Sequence, residues 1–597
     1  MNLQQQANLA VQALQQGAWP LAIEHAKSAL AQSPQHPELL HILAMALRGG
    51  GFLSQAEQAF QYCLQLNPSH TIAAGNYANL LYQQARYVEA ERYYRQALAG
   101  GENSDARRNL ATLLGLKLKR FDEATALLEG CNAEAERLLV ADIKHAKGEA
   151  ADAMELVEAL IVENGLLPEL LLRRARLQRD LGQSEEALQQ LQSHQEVFQE
   201  SSDYRYMLGC LYYDLSQWQA SEGHLLTAIE SAPMMLEAHQ ALNQLYWEQQ
   251  RDEAFLGSYR RLKQRGQYTP AVRMNEVATL VQTKQLDSAR ELLNEGFKID
   301  GDLADYRHAL GAIESRESNL EAAKYHLQLA ANAVPENHRW QVDLASVLIQ
   351  LGDYQHALQK LDHAAQNVPD NQEIWAYKGL CWRLLDDPKF HWLYDERLID
   401  YRPLPIPASY DNTEHFFTEL ARSLRKLHTA SRQPLDQSVA GGTQSMGNLF
   451  VQPDAVIQDY RMALQQRISD FLAGLPRNDS EHPFYRRMRQ GFRFSGAWSV
   501  SLHGDGYHTN HVHPEGWLSG PCYVEVPSIC SQDDPEQQGW VILGETSLNL
   551  GEREQTLQAH CPQVGMSLLF PSYMWHGTRP FSSSQRRVTA PMDALPN

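Results

Sequence analysis

A small residue returns at a fixed interval through the first two thirds of this chain. Ala22, Ala56, Ala90 and Ala124 are 34 apart; after one step of 29 the interval resumes with Ala153, Ala187, Ser221, Phe255, Ala289, Ala323 and Ala357. Three further markers keep the same register. Glycine stands five residues earlier at Gly17, Gly51, Gly148, Gly182 and Gly352. Ala29, Cys63, Ala97, Cys131, Ala228, Ala330 and Ala364 stand seven later, and Pro34, Pro68, Pro233, Pro335 and Pro369 twelve later. A period of this length marks stacked supersecondary units. The small residues let two helices approach closely, glycine serves the turn between them, and proline cannot continue the second helix.

This register resembles the tetratricopeptide repeat, with about eleven units across residues 3 to 371. The resemblance implies a right-handed superhelix whose groove holds an extended peptide or another protein. An alanine-rich stack that only supports the rest of the chain is the alternative. The markers are weak around Phe255, where helix boundaries stay open.

Beyond Ala364 the rhythm fails, and a chain of 597 residues is too long for one core. Tyr401-Arg402-Pro403-Leu404-Pro405-Ile406-Pro407 cannot continue a helix, because alternate prolines remove donors and push their neighbours to extended backbone. The expected division is a repeat array over 1–385, a linker and helix over 386–432, and a C-terminal domain over 433–597. Helical patterns run from Glu414 to Leu427 and from Ala455 to Leu472, with Ala440 to Ser445 read as a loop between them. From Gly491 the period becomes two: Trp498, Val500 and Leu502 alternate with Ser499, Ser501 and His503. Short strands between Gly, Pro and Asp turns suit a jelly-roll barrel.

Within that domain lies His511-Val512-His513-Pro514, followed much later by Trp575-His576. Two imidazoles two residues apart on a strand point to one side, and a third from a distant strand completes one face of an octahedral metal ion. Such a set leaves positions open for a co-substrate and dioxygen. A rival pair, His503 and Asp505, lies in Leu-His-Gly-Asp-Gly, a turn signature; His508 and Asn510 repeat the spacing. A GxxxxGK phosphate loop, a GxSxG elbow and an HExxH zinc helix are all missing from the sequence, which disfavours nucleotide hydrolases, α/β-hydrolases and common metalloproteases.

The strings His508 to Gly520, Leu569 to Gly577 and Arg586 to Thr589 are similar to the 2-oxoglutarate- and Fe(II)-dependent oxygenases that bacteria fuse to tetratricopeptide repeats. The similarity covers roughly Pro434 to Pro596. It implies a double-stranded β-helix that binds Fe(II) at His511, His513 and His576, decarboxylates 2-oxoglutarate to succinate and CO2, and oxidises a second substrate. Arg587 would hold the distal carboxylate of 2-oxoglutarate, with the Thr589 hydroxyl on the same strand face and Tyr523 as a further contact. His508, Asn510, Gln444 and Trp498 would line the pocket, and Trp517 and Trp575 are candidate shaping or core residues. The wider superfamily usually has Asp or Glu where this chain has His513. Three readings therefore stand: a 2-oxoglutarate dioxygenase acting on a protein or peptide recruited by the repeats, a three-histidine dioxygenase without a keto acid, and a non-catalytic scaffold.

A formal charge of −20 argues against nucleic acid or an anionic membrane as partner. The start Met1-Asn2-Leu3-Gln4 has no signal-peptide pattern, and no run of ~20 apolar residues could span a bilayer. Seven scattered cysteines without a CxxC pair fit reduced thiols. A cytoplasmic location is the expectation.

Overall fold

The computed structural model describes every residue except 85, 102, 199, 200, 436, 437, 477, 478 and 490. Its chain forms two compact units, Met1–Gly165 and Leu166–Asn597. In the first, five helix pairs follow one another: Leu3–Gln15 with Trp19–Gln32, Pro37–Gly49 with Leu53–Leu66, Thr71–Gln83 with Tyr87–Ala99, Ser104–Thr112 with Phe121–Leu127, and Glu134–Lys147 with Ala150–Asn164. Six more open the second unit, from Pro168–Asp180 with Ser184–Ser193 to His338–Gln350 with Tyr354–Asn367, and the helix Gln372–Leu384 follows them.

The repeat markers have the mechanical roles their spacing implies. Ala22, Ala56, Ala90, Ala124, Ala153, Ala187, Ser221, Ala289, Ala323 and Ala357 lie on second helices and are wholly buried. Helices ending at Gln32, Leu66, Ser231, Ala333 and Asn367 each stop two residues before their proline. Five residues before the anchor the backbone turns left-handed. The glycines there have φ between 68° (Gly17) and 89° (Gly148), but Lys119, Ser216, Gln250, Lys284 and Ser318 hold the same conformation at 55° to 64°.

Two irregularities have local causes. The 29-residue step arises because Phe121–Leu127 spans only 7 residues, so Cys131 lies beyond the helix instead of within it. At Phe255 a bulky ring replaces the small anchor; the chain makes turns there, Leu256 adopts φ 59°, and the second helix starts only at Gly257.

Among the described residues twelve strands build the C-terminal part: β1 (Asp400–Pro403), β2 (Val439–Gln444), β3 (Phe492–Ala497), β4 (Val500–His508), β5 (Leu518–Gly520), β6 (Tyr523–Glu525), β7 (Val541–Leu543), β8 (Gln558–His560), β9 (Met566–Pro571), β10 (His576–Thr578), β11 (Ser583–Thr589) and β12 (Met592–Pro596). They pair antiparallel in three sheets, ordered β1-β9-β5-β12-β3, β2-β4-β11-β6 and β10-β7-β8. The stretch read as linker thus supplies an edge strand, β1, and helices Thr413–Arg425 and Ala455–Ala473 flank the sheets.

Two segments expected to be loops are strands. Residues 440–444 belong to β2 and Leu502–Gly506 to β4, and the two strands pair with a register shift between Ala440 and Gly442. The glycines mark a bulge rather than a chain reversal: Gly441 has φ 69°, and a Cβ at Gly442 would lie 2.5 Å from the Ser501 carbonyl oxygen.

One hydrophobic core runs from Ala323 and Leu348 through Trp375, Tyr377 and Trp382 to Trp517, Trp575 and Met592. Arg553 reinforces it by donating to the Ile349 and Gln350 carbonyls and to the Tyr354 hydroxyl. Among the described residues no helix is long and apolar enough to cross a membrane.

The left-handed turns give a paired prediction. Gly352 has open space around its missing Cβ, so Gly352→Ala adds only backbone strain and is expected to cost about 1 kcal/mol. Ser318→Gly removes that strain and is expected to stabilise by a similar amount. Thermal melting of the two variants should move in opposite directions.

Candidate metal centre

The centre begins with backbone. His511 donates its N–H to the His576 carbonyl at 2.9 Å and accepts from the His576 N–H at 3.0 Å, forming an isolated antiparallel bridge. The His513 N–H then bonds the Ser572 carbonyl at 3.1 Å. His511 and His513 do not share a strand, as the spacing suggested; one is in the bridge and the other in the turn after it, while His576 opens β10. A Cβ at Gly577 would fall 2.0 Å from Asn510 Oδ1, so only glycine lets β10 lie this close to residue 510. The Asn510 side chain is itself tied to the Thr546 carbonyl at 3.1 Å.

Three imidazoles converge. Their ring centroids are 4.2 Å (His511–His576) and 5.1 Å (the other two pairs) apart, and one nitrogen of each lies within 4.8 Å of the others. Nε2 of His511 and Nε2 of His513 are 3.2 Å apart. Two nitrogens bound at right angles to one ion at ~2.1 Å are ~3 Å apart, so this spacing suits adjacent ligands of one metal.

Each ring is also committed on its far side. His511 Nδ1 lies 2.8 Å from the Thr509 carbonyl, His576 Nδ1 2.9 Å from the Met574 carbonyl, and His513 Nδ1 2.6 Å from Asp593 Oδ2. Carbonyl and carboxylate oxygens only accept, so Nδ1 carries the proton in all three rings and each Nε2 keeps a lone pair. Asp593 is held in turn by the Ser519 hydroxyl at 2.5 Å, which meets the Ser572 hydroxyl at 2.7 Å.

Burial sets the charges. It depresses His511 to about 3, helped by His513, and pushes His576 well below the ordinary range, helped by His511 and His513. At His513 burial is again the largest influence, but the Asp593 charge and hydrogen bond together outweigh it and raise the pKa.

The other expected residues fall into three groups. His508, driven far below its normal pKa by burial, shares the Ser438 hydroxyl with His511: Ser438 Oγ is 3.0 Å from His508 Nδ1 and 3.3 Å from His511 Nε2. Trp498 stacks on His513 at 5.9 Å, and Phe570 packs on His576 at 4.7 Å. Gln444 lies on β2 opposite Val500, with no hydrogen bond to the three histidines among the described residues. Trp517 stacks on Phe484 and Trp575 meets Tyr377 edge-on, both within the core.

Arg587 is 2% exposed on β11, and its guanidinium lies 5.3 Å from the Tyr523 ring centroid. Its Nε donates to the Gly539 carbonyl at 3.1 Å, and no carboxylate is paired with it among the described residues. Burial depresses its pKa. Thr589 sits opposite Tyr523 across the β11–β6 ladder, and the buried Tyr523 hydroxyl has no hydrogen-bond partner among the described residues. A buried cation beside an unsatisfied hydroxyl is costly unless an anion joins them.

His503 and Asp505 are exposed on β4 and do not join the histidines. A second cluster, Glu38, His41 and His70, also brings ligand atoms within 4.8 Å. There, however, His70 Nδ1 accepts from the Ala73 N–H at 3.3 Å, so the proton sits on the nitrogen facing Glu38 and blocks it as a ligand. Asp593 and Ser438 were missed by sequence reasoning. Neither lies in a motif, and alternation along β12 gives no hint that Asp593 reaches His513.

In metal-free protein, the Asp593 carboxylate is expected to raise the His513 pKa above its ordinary value, whereas burial keeps His511 and His576 neutral. A histidine-selective NMR titration from pH 8 to 5 should shift His513 first; parallel titration of His511 would contradict this charge pattern.

Family models match the chain in two places. The family described as "Putative 2OG-Fe(II) oxygenase" matches residues 496–593, and the tetratricopeptide repeat matches residues 43–106, 206–270 and 306–387. Comparison with curated proteins gives no match. Among solved structures, a tetratricopeptide repeat protein from Parabacteroides merdae is 18% identical, with 40% of this chain and 97% of that one covered at a TM-score of 0.36. Yeast Tom70 is 13% identical, with 65% and 96% covered at 0.30. The chain thus joins tetratricopeptide repeats, within residues 43–387, to a domain of the 2OG-Fe(II) oxygenase family in one polypeptide.

Proposed function

We propose that the C-terminal domain is an Fe(II)- and 2-oxoglutarate-dependent dioxygenase, and that the repeats bring it a protein or peptide to oxidise. The observation that carries this reading is the set of three Nε2 lone pairs turned toward one another, each fixed by a committed Nδ1. His511, His513 and His576 would hold the iron. Bound Fe(II) supplies open positions for the keto acid and dioxygen, coupling decarboxylation to succinate and CO2 with oxidation of the second substrate.

The protein's own groups do the rest. Arg587 is the fork for the distal carboxylate of 2-oxoglutarate, the Tyr523 hydroxyl gains the partner it lacks, and Thr589 borders the same place. Asp593 holds the His513 ring and keeps its proton on Nδ1, and Trp498 closes the outer face of that ring. His508 and Ser438 border His511. A reducing, cytoplasmic setting fits the seven unpaired cysteines.

The absence of a carboxylate ligand favours a second reading, a three-histidine dioxygenase that uses no keto acid. The buried, uncompensated Arg587 speaks for the first.

Succinate release from 2-oxoglutarate, with Fe(II) and cell extract as the source of acceptor, is expected from the wild type and not from His576→Ala. Arg587→Gln is expected to raise the 2-oxoglutarate requirement at least about tenfold, because a buried charged contact is worth ~2 kcal/mol or more. Asp593→Asn is expected to weaken Co(II) binding roughly 10- to 100-fold, read by absorption titration. Oxygen uptake without 2-oxoglutarate would favour the second reading.

A further inference from the structure

The surface at the end of helix Leu236–Glu248 holds a piece of the chain from some 180 residues away, and holds it as a peptide is held. Ser431 donates its N–H to the Glu248 carbonyl at 3.0 Å and accepts from Gln250 Nε2 at 3.4 Å. The carbonyl of Gln433 accepts from Trp247 Nε1 at 2.9 Å. Between them, Arg432 forms two hydrogen bonds to Asp252, at 2.8 and 3.0 Å, and its guanidinium lies 4.6 Å from the Trp247 ring centroid. Residues 431 and 433 are thus read through their backbone and residue 432 through its side chain. This division of labour does not depend on the rest of the segment's sequence.

The attachment is also easy to reverse. The Asp252 side chain is 66% exposed, so water can compete for its bidentate pair with Arg432. The contact consists of polar bonds and one stacked cation, with none of the hydrophobic burial that joins the last repeats to the sheets. Six residues beyond Arg432, Ser438 places its hydroxyl 3.3 Å from Nε2 of His511.

We propose that Trp247, the Glu248 carbonyl, Gln250 and Asp252 form a binding subsite for an extended peptide segment bearing arginine, occupied here by the chain's own Ser431-Arg432-Gln433, for which an arginine peptide of a partner competes. Arginine is favoured over lysine, because a planar fork pairs with a carboxylate while its face lies on an indole. The segment tethered in the same chain acts at an effective concentration of about millimolar, so an outside peptide must overcome it. The proposal is independent of the iron chemistry and is tested by binding alone.

The probe is a fluorescent peptide with the sequence of residues 429–434, and the readout is its anisotropy with the full-length chain. Arg432→Glu sets a negative charge against Asp252 and is expected to release the internal segment, so that the peptide binds about tenfold more tightly than to the wild type. Adding Asp252→Ala is expected to abolish that gain, and a peptide with alanine for its arginine is expected not to bind. Ser431→Pro, which removes the N–H given to Glu248 without touching charge, provides a second release if Arg432→Glu melts early. Equal binding by released and wild-type chains, no binding by either, or a gain that survives Asp252→Ala overturns the proposal.

Discussion

The paired main-chain hydrogen bonds between His511 and His576 decide whether a centre exists at all. They fix the register of two distant segments, and slipping the pairing by one residue would turn a histidine to the opposite face. The neighbouring features protect that register. Gly577 admits the Asn510 carboxamide, and the Ser572 carbonyl catches His513 two residues on. The imidazoles are therefore aimed by backbone, and their hydrogen bonds only settle which nitrogen stays bare.

Charge is arranged with equal economy. His513 has a carboxylate, Asp593, directly behind its ring. The negative charge lies one ring out from the converging nitrogens, where it raises the basicity of His513. On β11 the opposite sign is buried: Arg587 has a carbonyl and an aromatic face for company but, among the described residues, no acid.

Much of this was legible in the chain itself. The repeat array could be read because its signal is mechanical and recurs eleven times: a wide residue at the helix contact, as at Phe255, visibly costs the regularity that alanine preserves. The three converging histidines and the buried Arg587 stood out because each sits in a short, unusual string. What failed was the reading of glycine. In Ala440–Gly442 and Leu502–Gly506 it marks two strands pressed so closely that a Cβ would strike a carbonyl, and composition cannot distinguish such a bulge from a turn. Asp593 and Ser438 escaped because their role comes only from what the fold sets beside them. The left-handed turns at Lys119, Ser216, Gln250, Lys284 and Ser318 escaped because none of these residues is glycine, the one that ordinarily marks such a conformation.

The unbroken apolar packing from Ala323 to Met592 has a consequence for how such a molecule can change over generations. Sequence divides the chain near residue 385, yet the last repeats and the sheets share one interior and must melt together. Recombination that exchanged the helical array at that seam would leave Trp375, Tyr377 and Trp382 on one fragment and their counterparts on the other, both exposed to water. The domain and its final repeats therefore form one packed block, and a change in repeat number well upstream of it would leave that interior untouched.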